Sequence, residues 1–429
     1  MEFAWPASRA DIERIQRERK RLAVELAVRV PFYRARLQDI DLDRLDDIEV
    51  WSRIPLLSKD ELRALPPDKF YSEFCIQPLT RVVEYWRSGG VTGRPLFYPR
   101  SAFDMIYGSL AFRRAWPLVA ATAEDCVHIS FPLGIHPVGH VYARTAEDLG
   151  LGTIWCGSGA NTPSAVQLEL IQQLKPTIWA GMASYGLHLA NLAEASGIDL
   201  ASSSVKKLVV AAEPLSPAKR QKLERMWGAE VFDHFGMTEA SFVAGECWTH
   251  EGLHVWSDLF YVEVVDESTG LPVPEGETGT LVVTPLWNNT MTPFLRWNSG
   301  DLVSIRSRCE SEGPWSVFPV MRHARRTVGF FKVRGVNINH SELEDLMFLD
   351  ADITDFKAEA CASSSGLDVL RLSIEAKRGT DPEAIAQRVR AGVSRTFETT
   401  PELEFLEPGT LGREFEATVK AARFVDRRG

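Results

Sequence analysis

Ser164-Ala165-Val166-Gln167-Leu168-Glu169-Leu170-Ile171-Gln172-Gln173-Leu174 reads as a helix, and Thr177-Ile178-Trp179 follows it as a short apolar run of strand type. The same alternation then repeats, with Tyr185 to Ala195 helical and Leu208-Val209-Val210 strand-like. Upstream lie Val127-His128-Ile129-Ser130 and Thr153-Ile154-Trp155, and downstream Glu230-Val231-Phe232, so the order is β-α-β-α over a hundred residues. That order predicts an α/β fold with a largely parallel sheet covered by helices. Ligands in such sheets gather at the carboxyl ends of strands. Two segments stand there, Ala211-Ala212-Glu213-Pro214 after one strand and Asp233-His234-Phe235-Gly236-Met237-Thr238-Glu239 after the next.

Toward the N-terminus, Ser8-x-x-Asp11 opens a stretch to Val28 that carries Ile12, Ile15, Leu22, Val24, Leu26 and Val28 among charges, the pattern of a capped amphipathic helix. Val30-Pro31-Phe32-Tyr33 ends it, and a second helix capped by Ser58 follows the apolar Ile54-Pro55-Leu56-Leu57. Val82 to Trp86 and Leu96-Phe97-Tyr98 read as strands on either side of Arg87-Ser88-Gly89-Gly90-Val91-Thr92-Gly93-Arg94-Pro95. Glycines without a Cβ, hydroxyls and guanidinium groups together make this a candidate phosphate loop. A glycine-rich hairpin turn explains the same letters, and neither the Walker nor the dinucleotide pattern is met.

Toward the C-terminus the texture turns to antiparallel β from Phe260, with Tyr261 to Val265, a turn-rich Asp266 to Gly279 and Leu281-Val282-Val283. Another change comes near Arg326. Phe330 to Val333 is strand-like, Ser341-x-x-Glu344 has the form of a helix cap, Val369 to Ile374 alternates, and Asp381-Pro382 starts a helix. The organisation expected is a large N-terminal α/β domain over residues 1–326, with parallel sheets and an antiparallel β part, and a small C-terminal α+β domain over 327–429, which the resemblance described below implies is mobile.

The chain has 429 residues, 45% hydrophobic and 25% charged, enough to bury a large core in two or more domains. No apolar run approaches membrane-spanning length and the first residues lack a secretory signal, so a cytoplasmic location without membrane contact is expected. The 58 acidic against 48 basic residues argue against nucleic acid as a partner. Six cysteines lie far apart without a CxxC, which suits a reducing compartment.

Taken in order, the phosphate loop, Ala212-Glu213-Pro214, Asp233-x-Phe235-Gly236-Met237-Thr238-Glu239, Arg296-x-x-x-Gly300-Asp301-Leu302, Arg334-Gly335-Val336-Asn337-Ile338 and Lys420 resemble the motif succession of the adenylate-forming (acyl-CoA synthetase) superfamily. The phenylacetate:CoA ligase-like branch is the nearer resemblance, through Val30-Pro31-Phe32-Tyr33-Arg34, Leu174-Lys175-Pro176-Thr177 and the ending Lys420-Ala421-Ala422-Arg423-Phe424-Val425-Asp426. The resemblance implies that a carboxylate attacks the α-phosphorus of ATP and is then passed to a thiol, of CoA or of a carrier-protein pantetheine. A stand-alone adenylation enzyme that loads a carrier or forms an amide, and a catalytically silent nucleotide-binding protein, are the alternatives.

By the same resemblance, Ser88, Gly89, Gly90, Thr92, Gly93 and Arg94 serve the phosphates, and Ala212, Glu213 and Pro214 line the adenine site. Asp233, His234, Phe235, Gly236, Met237 and Thr238 flank the nucleotide, Glu239 holds Mg²⁺, Asp301 accepts the ribose hydroxyls and Arg326 contacts the nucleotide. Lys420 bridges the attacking carboxylate and the phosphate. Phe131, His136, Gly181, Ser184, Tyr185 and Ala211 are placed at an acyl pocket suited to an aryl or arylacetic acid, and Arg334, Gly335 and Val336 on the thiol face.

Departures accompany these matches. The loop has lost two hydroxyls and carries Arg94 for lysine, and the acidic hinge is replaced by Arg325-Arg326-Thr327-Val328-Gly329. Cys247 and His254 match a Cys-x6-His segment that in some members of the branch holds a structural Zn²⁺, with Cys309 and His250 as further candidate ligands. A buried free thiol with surface histidines is the other reading. A homodimer belongs to the same set of expectations.

Overall fold

The computed structural model describes residues 5–428 apart from 77, 88–94, 308, 327–329, 335, 363–367 and 419–420, with 324–326 described by backbone alone. It falls into two compact units, one of Met1–Glu124, Leu133–Leu151 and Phe232–Thr327, the other of Asp125–Pro132, Gly152–Val231 and Val328–Gly429. The fold is α/β.

In the first unit the helix Arg9–Ala27 is capped by Ser8, whose hydroxyl accepts from the N–H of Asp11 at 3.2 Å. It lays Val24 and Ala27 into a core with Tyr33, Trp51, Phe74, Tyr98, Phe294 and Trp297. The strands Val82–Arg87 and Phe97–Ser101 pair antiparallel, Arg87 opposite Phe97. The seven remaining strands run in the order Phe260–Val265, Gly279–Pro285, Trp297–Arg306, Val320–Arg326, Leu253–Val255, Ser241–Glu246 and Glu230–Met237. All neighbours in that order are antiparallel. One expectation is corrected here: Asp233 to Met237 is not a loop after the strand but its continuation, because Phe235 and Met237 pair with Ala244 and Ser241 of the following strand.

In the second unit four strands are parallel, in the order Lys207–Ala211, Ile178–Gly181, Cys126–Ile129 and Gly152–Trp155. The helices Ser164–Leu174 and Ala183–Ala195 connect them as the sequence pattern predicts. Gly181 ends its strand where a Cβ would come within 2.6 Å of the Trp179 ring, so only glycine fits that backbone without displacing a buried indole. The C-terminal tail of this unit holds a hairpin of Phe330–Val333 with Val336–Asn339. Its second sheet has the order Glu402–Leu406, Asp368–Ala376, Ile353–Ala362, Phe424–Asp426. Its helix His340–Leu349 is capped by Asn339, which accepts from Ser341 and Glu342 N–H groups, so the expected cap at Ser341 is displaced and Glu344 is left for another use.

Candidate active site

The strand Glu230–Met237 alternates its side chains between two faces. His234 takes the buried face. Its Nδ1 lies 2.8 Å from the Tyr142 hydroxyl and its ring stacks on Tyr142, while burial pulls its pKa to about 3. The His234 side chain is thus spent in the core, because the strand continues through it. Asp233, Phe235 and Met237 take the other, half-buried face.

Two residues beyond the strand, Glu239 is buried, and two cationic or donor groups converge on one of its oxygens. The Tyr98 hydroxyl donates to Oε1 at 2.9 Å and Lys59 Nζ stands 3.4 Å from the same atom. Lys59 opens the helix Lys59–Ala64, whose capping box of Ser58 and Glu61 fixes where that lysine starts. Arg100 lies two residues after Tyr98 and is fully buried with it. Its guanidinium donates to the carbonyls of Thr238 at 2.6 Å and Glu239 at 3.2 Å, to Thr292 Oγ1 at 3.2 Å and to Asn289. Asn289 Nδ2 in turn donates to the Glu239 carbonyl at 2.9 Å. A buried guanidinium with all these acceptors holds the Thr238-Glu239 backbone rigidly, since leaving any one of them unpaired would carry a desolvation cost. Burial, and next the charge of Glu239, push the Tyr98 hydroxyl well above its ordinary pKa, so it remains a donor.

Elsewhere in this unit Asp301 is buried, with His323 Nε2 3.3 Å from its Oδ1 and the Phe235 ring 6.0 Å from the imidazole. Asp301 also stands opposite Arg326 across the strand pair. His136 faces Arg87, Nε2 to Nη1 3.4 Å, and burial followed by that positive charge lowers its pKa. His140 is used within its own loop, where its Nε2 accepts from the Gly134 N–H at 2.9 Å.

In the second unit the strand Lys207–Ala211 delivers Ala211, Ala212, Glu213 and Pro214. Ala212 has φ +70°, the left-handed region that disfavours a side chain, and such strain collects at ligand sites. Glu213 is clasped by Ser184, whose backbone N–H reaches Oε1 at 2.5 Å and whose hydroxyl donates to Oε2 at 2.8 Å. Lys219 Nζ stands 3.7 Å from Glu213 Oε1. Phe131 is fully buried. Tyr185 is also fully buried, its hydroxyl 3.0 Å from Ser164 Oγ and its ring against His188 and Phe415.

A family model described as AMP-binding enzyme matches residues 89–288. The chain is 28% identical over 439 residues to the phenylacetate-coenzyme A ligase of Aromatoleum evansii, covering 98% of this chain and 96% of that one. It is 29% identical over 375 residues to the phenylacetate-coenzyme A ligase of Thermus thermophilus, covering 86% and 82%. Over most of its length the chain is similar to phenylacetate-coenzyme A ligases, and together with the AMP-binding match these relatives support the adenylate-forming resemblance. Among solved structures, a 2-hydroxyisobutyryl-CoA ligase in the postadenylation state with an acyl-AMP has the same fold, with TM-score 0.85 at 23% identity over 98% of this chain and 91% of that one.

Several of the expected site residues lie outside the described residues: Ser88, Gly89, Gly90, Thr92, Gly93, Arg94, Gly335, Lys420 and the side chain of Arg326. Arg334 has φ +50° beside the hairpin and donates from Nε to the Asp368 carbonyl at 2.8 Å, with Val336 half-buried next to it.

The four-ligand zinc set is not assembled. His254 Nε2 lies 3.2 Å from Cys247 Sγ, but Cys309 Sγ is 3.9 Å away and in contact with Ser311 Oγ at 2.6 Å. His250 turns to Glu246, Nδ1 to Oε1 3.3 Å. Among the described residues no group of three or more His, Cys, Asp or Glu side chains is arranged to hold a metal ion. A buried imidazole contacting a buried thiol accounts for the pair, and burial pulls His254 down to about 4.

Lys59, Tyr98, Arg100, Asn289, His323 and Lys219 were not legible as site residues. Each is remote from the motif it supports or is an ordinary helix residue by pattern. The only sequence signal was Tyr98 and Arg100 sharing a strand face immediately after the glycine-rich stretch.

Proposed function

We propose that this enzyme activates an aryl or arylacetic acid with ATP and transfers the acyl group to CoA. In the first step a carboxylate oxygen bonds to the α-phosphorus and pyrophosphate leaves. In the second the CoA sulfur bonds to the acyl carbon, its proton goes to solvent and AMP leaves. The observation that carries the reading is Glu239: a buried carboxylate at the end of a strand, with its backbone locked by Arg100 and its oxygen already facing the cation of Lys59. Such an oxygen suits a hard cation, and Mg²⁺ bound there would supply charge neutralisation to the triphosphate. In this reading Glu213, which Ser184 holds, accepts from adenine, and the buried Asp301 accepts from the ribose. The small and aromatic residues Phe131, Gly181 and Ala211 suit a ring-bearing acid.

The residues 327–429 are proposed to act as the mobile part that delivers Lys420. Six free cysteines suit a reducing compartment, and the cytoplasm is the proposed location. No helix among the described residues is long and apolar enough to cross a membrane. A homodimer is proposed for test by light scattering.

The deciding experiment is acid-dependent ATP–pyrophosphate exchange over a panel that includes phenylacetate, benzoates and short aliphatic acids, followed by discharge of the adenylate with CoA. Exchange with an aromatic acid and CoA-dependent release of AMP are expected. Exchange with no acid would overturn the activity, and discharge only by a pantetheinylated carrier or an amine would overturn CoA as acceptor.

A further inference from the structure

The tail helix His340–Leu349 carries a buried acid, Glu344, with one carboxylate oxygen 2.7 Å from Lys219 Nζ. Lys219 sits in the first turn of the helix Pro217–Trp227, where Ser216 accepts from its N–H. The same ammonium stands 3.7 Å from Glu213 Oε1 and donates to the Pro214 carbonyl at 3.3 Å. The three side chains are 6%, 9% and 10% exposed for Lys219, Glu344 and Glu213. One buried lysine therefore serves two carboxylates, one in the nucleotide motif and one in the tail.

Burial works to lower the pKa of Lys219, but the charges of Glu344 and Glu213 outweigh it and leave the pKa raised, so the lysine stays an ammonium. Burial raises Glu344 against the pull of Lys219. A simple buried pair would be expensive to open, because the lysine would be left as an unpaired buried cation. Here it would not be. If Glu344 leaves for water, Lys219 keeps Glu213, and no buried charge is stranded in either arrangement.

The other contacts between the tail and the 152–231 part of this unit end elsewhere. Lys222 Nζ donates to the carbonyls of Ile353 and Thr354 at 2.7 and 2.8 Å, and Asp345 accepts from the Ala218 N–H at 2.9 Å. Phe415 stacks on His188 at 5.1 Å, and Glu416 lies 3.6 Å from that imidazole. These last contacts anchor the helix Arg413–Ala417, two residues before the segment that carries Lys420, against the parallel-sheet part of the unit.

We propose that Lys219 is a positioning residue that couples the nucleotide motif Ala212-Glu213-Pro214 to the placement of the tail. With Glu344 on Lys219 the tail is docked for adenylation, and release of Glu344 to water accompanies the move to acyl transfer. The inference rests on the two-step ligase reading above and deepens it. It makes the state of Glu213 and the docking of the tail reciprocal: whatever strengthens one carboxylate's claim on Lys219 weakens the other's.

The test separates the half-reactions in Glu344→Lys, which sets two ammonium groups against each other in the docked arrangement and exposes the new lysine harmlessly in the released one. The probe acid is phenylacetate, or the best acid of the panel, and its synthetic acyl-adenylate. Exchange is expected to fall about tenfold to a hundredfold while transfer from the supplied adenylate to CoA holds or quickens. Glu344→Asp should recover part of the exchange. If Glu344→Lys does not fold by thermal melting, Lys219→Met is measured in the same two assays, with Glu213 still held by Ser184. Equal losses in both half-reactions, or no loss in either, would overturn the coupling while leaving the activity intact. Absence of exchange in the parent protein with every acid would overturn the activity and the coupling together.

Discussion

Glu239 and Glu213 are two motif glutamates that follow the carboxyl ends of strands, each within 3.4 and 3.7 Å of one lysine, and they are held in opposite ways. Glu239 is braced from far upstream in its own unit, by Lys59, Tyr98 and the carbonyl clamp of Arg100. Glu213 is braced locally by Ser184, and its lysine is shared with Glu344 of the tail. A site for a metal–phosphate complex gains from rigidity, because preorganised charge costs nothing to reorient during reaction. A site that must change between two half-reactions gains from an exchangeable partner. The first glutamate reads as fixed and the second as negotiable.

That contrast is open to attack at several residues. The largest effect is expected in the tail itself: Lys420→Ala should slow adenylation about a hundredfold to a thousandfold, the usual loss for one charge-stabilising donor, and leave transfer from synthetic acyl-adenylate nearly untouched. Comparable losses in both assays would remove the mobile-tail half of the comparison. Next, Glu239→Gln should lower kcat/KM for Mg-ATP about a hundredfold in exchange assays and change its magnesium dependence, with the melting temperature nearly kept. Parent and mutant behaving alike through a magnesium titration would deprive Glu239 of its role.

Smaller effects sharpen the comparison further. Tyr98→Phe removes one buried hydrogen bond to a charged group, so about a tenfold loss in the same assay is expected. No change there would mean that Arg100 and Lys59 suffice to fix the carboxylate. Ser184→Ala removes the hydroxyl but keeps the N–H on Glu213, and should raise KM for ATP about fivefold with kcat nearly constant. A fall in kcat instead would place Glu213 in the chemistry rather than in binding.

Acid should affect the two units alike, and at neutral pH not at all. Burial, the leading cause at each, pulls His254 to about 4 and His234 to about 3 in one unit, and His128 and His340 to about 4 in the other. These imidazoles are neutral in the fold, while the unfolded chain titrates near about 6.5 and binds more protons below that pH. Stability should therefore be full above about pH 6.5 and decline as pH falls toward about 4. Thermal melts across that range check it, and a flat profile would mean that the imidazoles are already protonated or solvated.

Much of the fold was legible. Helical and strand periodicities located Ser164–Leu174, Phe330–Val333 and the capped helices at Ser8, Ser58 and Asp381, because caps and apolar spacing act within a few residues. The resemblance to phenylacetate-coenzyme A ligases was legible too, since motif order survives in the letters themselves. Two local signals misled. The continuation of Glu230–Met237 was hidden because strand ends are set by the partner strand, here Ser241–Glu246, rather than by the residues themselves. Glu344 looked like the acid of a cap because Ser341-x-x-Glu344 has that form, yet Asn339 caps the helix and Glu344 goes to Lys219.

The sequence by itself determined the α/β class, the order of the motifs and the identity of the two glutamates, because those depend on local spacing and residue type. Only the tertiary structure decided which groups hold them. Tyr98 meets Glu239 across 141 residues and Lys219 meets Glu344 across the fold, and such pairings arise from where packed helices and strands bring distant side chains. Burial then fixes their worth, since a lysine or tyrosine that would be an unremarkable surface group in water becomes a costly and therefore specific partner once desolvated.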